Sequence, residues 1–229
     1  NPDLKPQTSQ NFEFGLKGNI LNKHSEFMRK VKFELTFFDY VVRDEIVPFT
    51  INQNTFFRNA TRTNRLGIEA GFMCEPVEGI ELVTNYTLTD FKYQDYHAVI
   101  QGPSGNITEE YNGNYVPSIP RHILNFILNY EFELSENFNG LLQWDCDYLS
   151  KMYANDKNTD VAPGYFYGNV MAGINFNVGK LNTILYFGAN NIFDKRYIGY
   201  INVNDFFGRY YETGEPRSIY SGLNVSYKF

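Results

Sequence analysis

The side chains best suited to chemistry in this sequence are arginines and tyrosines in the polar stretches between its hydrophobic segments. An arginine guanidinium grips carboxylate oxygens with paired hydrogen bonds, and a tyrosine ring stacks on an aromatic group. This chemistry indicates non-covalent binding of an anionic ligand, and the alternative for each residue is a solvated loop side chain. The candidates are Arg43, Arg58, Arg62, Tyr93, Tyr96, Tyr111, Tyr115 and Tyr153.

Catalysis and metal binding have no comparable pattern. The three histidines are scattered, and neither His97 nor His122 is accompanied by a nucleophile and a base. Cys74 and Cys146 are interpreted as small apolar residues rather than as a redox pair or a zinc site. We therefore predict no enzyme activity and no cofactor.

Charge and hydropathy exclude two further classes. The 229 residues carry 20 Lys and Arg against 26 Asp and Glu, which gives a net charge of −6. A nucleic-acid-binding protein would show a basic stripe instead, so no nucleic-acid partner is expected. No run of about 18 apolar residues is present, which argues against a transmembrane helix. Aromatic residues make up 17% of the chain, which is high for an ordinary soluble domain.

The elements that must position these side chains are strands, because apolar residues recur with period two. Successive side chains of a strand point to opposite faces, so alternation gives one apolar face and one polar face. In 121–133, for example, His122, Leu124 and Phe126 alternate with Ile123 and Asn125. We predict an all-β chain with nine strands and no helix. The alternating segments are 11–17, 31–37, 65–72, 80–88, 121–133, 142–148, 166–176, 184–189 and 222–229.

The predicted connections alternate between short and long. The shorter ones cover about 20–30, 75–79, 133–138 and 177–180, and the longer ones 44–54, 92–120, 152–164 and 192–216. A transmembrane β-barrel has short periplasmic turns and long outer loops, with apolar residues toward lipid and polar residues toward a wet lumen. A soluble sandwich or propeller also alternates, but it has no reason to keep every long loop at one end. The pattern therefore favours a transmembrane antiparallel β-barrel.

An odd number of strands does not suit a complete bacterial barrel, which has an even number and both termini in the periplasm. An open nine-stranded sheet would also expose two unpaired edges to lipid. Residue 1 is Asn, within loop-like sequence. We therefore expect this chain to be a piece of a longer one.

Several motifs resemble the carboxy-terminal part of the TonB-dependent outer-membrane receptors. Residues 188–197, GANNIFDKRY, resemble the family's NNLFDKxY segment, and 208–217, GRYYETGEPR, resemble GRxYxxGxPR ahead of the last strand. The alternating end 223–229 with a terminal Phe is similar as well. Weaker likenesses occur in family order at 4–9, 44–47, 59–69 and 115–121.

The resemblance implies that 1–229 is the carboxy-terminal part of a barrel of about 22 strands, with the plug domain and earlier strands absent. It implies active import of a scarce ligand, energised by TonB through the missing amino-terminal region. The motifs are closest in style to the branch that imports ferric siderophores, whose carboxylate or catecholate oxygens suit arginine. Further implied partners are the barrel-assembly machinery, the lipid bilayer and lipopolysaccharide, and the implied state is a monomer in the Gram-negative outer membrane.

The resemblance also assigns roles to single residues. Tyr227 and Phe229 would form the signal for outer-membrane insertion, although an ordinary interface aromatic is the alternative. A structural role is expected for the two motifs, with Asp194 pairing with arginine to fix the loop. Gly67 and Glu69 would face the lumen. The motif residues are Asn190, Asn191, Phe193, Asp194, Arg196, Tyr197, Gly208, Arg209, Gly214, Pro216 and Arg217.

Three alternatives stay open at this point. An importer of glycans or vitamins would share the barrel and differ in its loops. A passive pore would lack the plug and conduct without TonB. A soluble adhesin or sandwich would share only the alternation.

Overall fold

The computed structural model describes residues 4–21, 27–51, 54–102, 105–205 and 207–227. Within these ranges the chain forms antiparallel β-structure, as the period-two alternation requires. No helix there is long and apolar enough to cross a membrane. The strands are β1 (Thr8–Leu21), β2 (Lys30–Ile51), β3 (Asn54–Val77), β4 (Ile80–Gly102), β5 (Gly105–Glu110), β6 (His122–Ser135), β7 (Phe138–Leu149), β8 (Met152–Tyr153), β9 (Val161–Ala162), β10 (Tyr165–Val178), β11 (Leu181–Asn190), β12 (Ile198–Ile201), β13 (Tyr211–Thr213) and β14 (Ser218–Tyr227).

Nine of these strands form one up-and-down sheet in the order β1-β2-β3-β4-β6-β7-β10-β11-β14. Every neighbouring pair in this order is antiparallel. Strand β5 adds to the far end of β4 outside this order. The nine alternating segments of the sequence are therefore confirmed, in the predicted order.

The register aligns the apolar residues of all nine strands on one face. Phe33 lies opposite Phe72, and Leu128 lies opposite Trp144. Paired side chains in an antiparallel ladder project from the same face, so these pairs form one continuous apolar surface. Cys74 and Cys146 lie on this face, and both are free thiols.

The apolar face is open to its surroundings. The side chain of Phe14 is 74% exposed and that of Leu223 is 64% exposed. A soluble sandwich would cover such a face with a second sheet. The described residues form no second layer over it, which argues against the sandwich.

The turns at one end of the sheet are tight. Strands β3 and β4 are joined by 78–79, β6 and β7 by 136–137, and β10 and β11 by 179–180. Gly79 has φ +81° and Gly179 has φ +63°, a region that favours glycine. These turns lie where short connections are predicted, and they are shorter than the sequence indicates.

The prediction of a long loop at 44–54 is wrong. Strands β2 and β3 continue through this region, and their pairing extends to Ile51 opposite Asn54. A bulge between Val42 and Glu45 interrupts the register, with Asp44 at φ +55°. Because a bulge shifts the alternation by one residue, the strand loses its period-two signature there.

The other long connections contain structure that the sequence analysis missed. Strand β4 runs on to Gly102 and returns as β5 within the 92–120 connection. The 152–164 connection holds the β8–β9 pair, and 192–216 holds the β12–β13 pair. Two small cores form at this end of the sheet, one around Tyr93, Tyr96 and Tyr111 and one around Met152, Ala154, Ala162 and Ile201.

Candidate functional site

The polar face of the sheet carries hydrogen-bonded pairs of amides and carboxylates between neighbouring strands. Asn125 Nδ2 donates to Asp147 Oδ1 at 2.9 Å, and Asn169 Nδ2 donates to Asp145 Oδ2 at 2.6 Å. These residues share a face with Glu69 and Gly67, since the register places all of them opposite the apolar residues. A hydrated, charged surface of this kind suits the wall of a water-filled lumen.

The bulge in β2 adds a charged group to the same polar face. Thr63 Oγ1 donates to Glu45 Oε2 at 2.7 Å, and Arg65 forms an ion pair with the other carboxylate oxygen. The Arg65 guanidinium also lies 5.9 Å from the centre of the Phe91 ring. The bulge thus places the Glu45 carboxylate between two residues of β3.

The buried carboxylate of Asp156, in the connection after β7, accepts hydrogen bonds from side chains of β4 and of the connection after β11. Tyr93 Oη donates to its Oδ1 at 2.6 Å, and Tyr96 Oη donates to its Oδ2 at 3.0 Å. Asn204 Nδ2 also donates to Oδ2, at 2.8 Å. Asp156 is only 6% exposed, and its hydrogen bonds with Tyr93 and Tyr96 lie away from water, whereas the one with Asn204 is partly buried. We call Asp156, Tyr93, Tyr96 and Asn204 the Asp156 cluster.

Backbone contacts tie the same connections together. Asn114 Nδ2 donates to the carbonyl oxygen of Asp156 at 2.8 Å, and the Asp156 N–H donates to Asn204 Oδ1 at 3.0 Å. Asn158 Nδ2 donates to the carbonyl of Tyr115 at 2.9 Å. The connections after β5, β7 and β11 therefore form one hydrogen-bonded unit at this end of the sheet.

The tyrosines of this unit have strongly raised pKa values. Tyr93 and Tyr96 lie beyond Leu88, the last residue of β4 that pairs with β6. Burial is the largest cause of the raised pKa of both phenols, and the Asp156 carboxylate adds to it. The pKa of Tyr111 is raised by burial and then by its hydrogen bond to Glu109. These phenols stay neutral hydrogen-bond donors at physiological pH.

The predicted ligand-binding tyrosines thus fall into two groups. Tyr93, Tyr96 and Tyr111 are packed into a core, and their hydroxyls donate to carboxylates of the protein. Tyr115 and Tyr153 are half-buried, and their rings stack with centres 5.9 Å apart. Only the second group presents ring surface that a further molecule could reach.

The three predicted arginines are not brought together. Arg43 and Arg62 are exposed on the side of the apolar face, since Arg43 lies opposite Thr8 and Arg62 lies opposite Asp95. Arg58 is half-buried and lies opposite Val47, a member of the core that includes Tyr93. Of the three arginines, Arg58 alone is on the side of the polar face.

Asn191 holds the first sequence motif to the second. The residue is 2% exposed, and its Nδ2 donates to the carbonyls of Lys195 at 2.9 Å and Glu215 at 3.0 Å. Its own N–H donates to Asn169 Oδ1 at 2.8 Å. This geometry closes the corner that follows β11 and fastens it to β10.

Tyr197 and Asp194 make the remaining links between the motifs. The Tyr197 ring stacks on the Tyr167 ring with centres 5.3 Å apart, and a Cβ on Gly214 would lie 2.1 Å from Tyr197. Asp194 Oδ1 accepts a hydrogen bond from the backbone N–H of Arg217 at 3.3 Å. Asp194 thus contacts the main chain of Arg217, and among the described residues it forms no ion pair with an arginine side chain, as the predicted pairing would require.

The other motif residues lie around this corner. Asn190 Nδ2 donates to Ser218 Oγ at 3.3 Å, and the Phe193 ring packs against Phe166 at 5.8 Å. Gly208 has φ +72°, and the Arg209 N–H donates to Asp205 Oδ1 at 2.9 Å. Arg196, Pro216 and Arg217 are exposed.

The predicted insertion signal is only partly within the described residues. Tyr227 ends β14 and is about half exposed, and Phe229 lies outside the described residues.

The sequence analysis missed Asp156 and Asn204 as the residues that unite the loops. The run Asn155-Asp-Lys-Asn158 indicates a turn, because Asn and Asp bond to nearby backbone groups. It gives no sign of partners in other connections. No group of three or more His, Cys, Asp or Glu within the described residues could hold a metal ion.

Comparison with known proteins identifies the fold. Residues 1–192 match the family model for the β-barrel of TonB-dependent receptor-like proteins. The chain is 26% identical over 234 aligned positions to "Probable TonB-dependent siderophore receptor PiuA" of Acinetobacter baumannii. That alignment covers 99% of this chain and 28% of PiuA, so the chain spans less than a third of this curated relative.

Solved structures agree in fold. The ferric preacinetobactin receptor BauA of Acinetobacter baumannii superposes with a TM-score of 0.72 at 18% identity, over 96% of this chain and 30% of BauA. The ferric yersiniabactin uptake receptor FyuA of Yersinia pestis gives 0.69 at 17% identity, over 96% of this chain and 29% of FyuA.

The family model covers most of the chain, and the sheet has the strand order, tight turns and two-faced register of a barrel wall. The chain therefore belongs to the family of TonB-dependent receptor-like β-barrels.

Proposed function

We propose that this chain forms part of the wall of an importer that carries a ferric siderophore or a related iron complex across the outer membrane, energised by TonB. Members of the family are β-barrels of the Gram-negative outer membrane, and the family is not an enzyme family. The observation that carries the proposal is the alignment of 99% of the chain with a relative named as a siderophore receptor.

The remaining strands, the plug and the TonB-contacting segment would come from other parts of a longer polypeptide. The relatives support this, since the chain spans only 28–30% of PiuA and BauA. Residues 1–229 would then be the carboxy-terminal part of the barrel. The barrel-assembly machinery would insert it as a monomer, and its apolar face would meet lipid and lipopolysaccharide.

Ligand contacts of this chain would come from the unit of outer connections. The Asp156 cluster would hold the loops in one arrangement, rather than touch the ligand with its phenols. Of the three arginines predicted to contact the ligand, Arg58 is the one on the side of the polar face, which would line the lumen. We propose that the loops' exposed polar side chains, positioned by this unit, determine which complex binds.

Uptake of radioactive iron by whole cells tests the proposal. Cells that express the full-length protein should accumulate iron from a ferric siderophore, and a protonophore or loss of TonB should abolish uptake. A strain lacking the protein is the control. Uptake that persists without TonB would favour the passive pore, and energised uptake of a glycan or vitamin instead of iron would favour the other importer class.

A further inference from the structure

Charge divides the polar face of the sheet into two parts. Each of the strands β1, β2, β3, β4, β6 and β7 places at least one charged side chain on this face. One on each strand, in that order, is Lys17, Glu34, Glu69, Glu81, Glu131 and Asp147. On β10, β11 and β14, none of the described residues of this face is charged. We call this second part, the odd-numbered residues of 165–177 and the even-numbered residues of 182–190 and 218–226, the neutral sector.

Two tyrosine rings lie close to the backbone within the neutral sector. Tyr186 lies opposite Gly222, and Tyr220 lies opposite Gly188. A Cβ on either glycine would clash with the ring opposite, so each ring covers the backbone of the neighbouring strand. The two rings meet edge to face with their centres 6.3 Å apart. This part of the wall therefore offers ring surface without charge and projects little from the sheet.

The amides of the neutral sector bond mainly to one another. Asn182 Nδ2 donates to Asn175 Oδ1 at 2.9 Å and to Asn177 Oδ1 at 3.1 Å. Asn190 Nδ2 donates to Ser218 Oγ at 3.3 Å. Neutral hydrogen bonds to such groups exchange with water at little net cost, whereas hydrogen bonds to charged groups are stronger. Whatever fills the lumen is therefore held more weakly at the neutral sector than at the charged strands.

We propose that the neutral sector is the part of the wall along which the iron complex passes, between the wall and the plug of the full-length receptor. The inference rests on the proposed function. A solute moves through a pore when each contact is favourable enough for entry and weak enough for departure. Fixed negative charge would repel an anionic complex and fixed positive charge would hold it, so a wall of amides, hydroxyls and neutral rings suits its passage.

Thiol labelling in intact, energised cells tests where the wall opens. A full-length protein freed of its two native cysteines receives a single cysteine in the neutral sector, Met171→Cys or Asn224→Cys. The matched controls on the charged strands are Asn85→Cys and Asn129→Cys. Asn129 lies in the same ladder row as Met171, since both residues are opposite Gln143. The probe is a bulky, membrane-impermeant maleimide, added to cells that secrete their own siderophores under iron limitation.

Met171→Cys and Asn224→Cys should react at least roughly tenfold faster in cells that contain TonB than in cells that lack it, because the rate follows the population of the open state. The two controls should react at the same slow rate in both strains. Equal acceleration at all four positions would show that the lumen empties as a whole. That result, acceleration at the controls alone, or no acceleration anywhere would overturn the neutral sector as the path.

Uptake of radioactive iron(III) loaded onto the secreted siderophores shows whether the complex itself meets this wall. Asn175→Asp/Asn224→Asp adds two negative charges with little change in shape. It should lower the maximal uptake rate at least roughly threefold, because fixed negative charge lowers the local concentration of an anion. Binding of the complex to de-energised cells should stay as in the parent.

The matched control for the charge variant is Asn19→Asp/Asn85→Asp. It adds the same charge to exposed positions of the polar face on β1 and β4. This control should import iron like the parent. Equal uptake by the test variant and the parent, or equal loss in the test variant and the control, would overturn the path.

The two measurements separate the path from the proposed function. If the parent imports iron and the neutral sector shows no labelling that depends on TonB, the path is wrong and the importer stands. If the parent imports no iron and the neutral sector alone is labelled in cells with TonB, the iron importer is wrong and the path stands for another solute.

Discussion

At the scale of single residues, Asp156 determines how the outer connections are held. Its carboxylate accepts buried hydrogen bonds from Tyr93 and Tyr96 and a partly buried one from Asn204. A buried donor that loses its partner costs about 1–3 kcal/mol, because it cannot regain the hydrogen bond to water. One side chain therefore links β4 to the connections after β7 and β11.

Replacement of Asp156 by alanine should loosen these connections and leave the sheet intact. Loss of this acceptor leaves the buried hydroxyls of Tyr93 and Tyr96 without a partner, so local opening should become easier by about 3 kcal/mol, or roughly a hundredfold in exchange rate. Hydrogen exchange of 92–121 and 198–213 in the full-length protein measures this.

The matched control for Asp156→Ala is Lys157→Gln, next along the chain. It removes an ion pair with Glu109 at 2.7 Å whose partners are 45% and 29% exposed. Solvent screening limits such a pair to at most about 1 kcal/mol. Equal exchange in the two variants would contradict the central role of Asp156.

Because the pKa values of Tyr93, Tyr96 and Tyr111 are raised, these phenols should ionise at a higher pH in the folded protein than in the unfolded protein. A tyrosine pKa raised above its unfolded value of about 10 stabilises the fold below that pH, and the contribution is lost as pH rises through the folded pKa. Burial, the first cause, favours the neutral phenol in all three.

Tyrosinate absorbance during an alkaline titration measures this effect. In denaturant, Tyr93→Phe/Tyr96→Phe/Tyr111→Phe should lower the absorbance change at about pH 11 relative to the parent. In the folded protein, the change up to that pH should be the same for both. A lower change in the folded variant would show that these phenols are accessible, against the structure.

The ligand-binding candidates show that residue type alone does not determine which side chains a ligand can reach. The sequence places Tyr93 and Tyr115 in the same connection, and it gives no reason to separate them. The structure buries one against Asp156 and sets the other on the side of the apolar face, beside Lys92. Burial and partners depend on contacts between distant segments, which one sequence does not encode locally.

At the scale of strands, period-two alternation was sufficient to place all nine members of the sheet. It failed where bulges break the period. The shift between Arg62 and Thr63 places both Tyr93 and Tyr96 on the side of the polar face, although they are three positions apart, where strict alternation would put them on opposite faces. Alternation also cannot detect pairs as short as β8–β9, because two residues contain no period.

Gly67 illustrates a constraint that a strand interior places on one position. A Cβ there would lie 2.2 Å from Phe38 Cζ and 2.6 Å from the backbone oxygen of Leu88. The ring could move, but the backbone of the neighbouring strand is fixed by pairing. Glycine is therefore required for the close approach of Phe38 across the strand.

Gly67→Ala should destabilise the folded barrel by about 1–3 kcal/mol, the usual cost of overpacking. The control is Gly15→Ala, where the nearest atom would be the Thr36 hydroxyl at 3.2 Å, and a change within about 0.5 kcal/mol is expected. Urea unfolding of the full-length protein in detergent gives both values. Equal stability of the two variants would show that the sheet yields at Gly67.

At the scale of the whole molecule, one polar and one apolar face run across nine strands, and the outer connections form one hydrogen-bonded unit at one end of the sheet. The faces and strand order follow from the sequence, since lipid and lumen impose opposite requirements on alternate residues. The hydrogen bonds that unite the outer connections do not, because they join side chains far apart in the chain. The proposal of an importer rests on the two faces of the sheet, whereas the outer connections would determine which ligand it binds.

The most direct test of this account is chemical labelling of single cysteines along β6 in intact outer membranes, after Cys74→Ala and Cys146→Ala replacement. Cysteines at Asn125, Ile127 and Asn129 should react with a small water-soluble thiol reagent. Those at Leu124, Phe126 and Leu128 should react only with a lipid-soluble reagent. Alternation of this kind would establish a membrane-spanning strand with a wet lumen. Uniform reaction with the water-soluble reagent at all six positions would contradict the barrel wall and, with it, the importer.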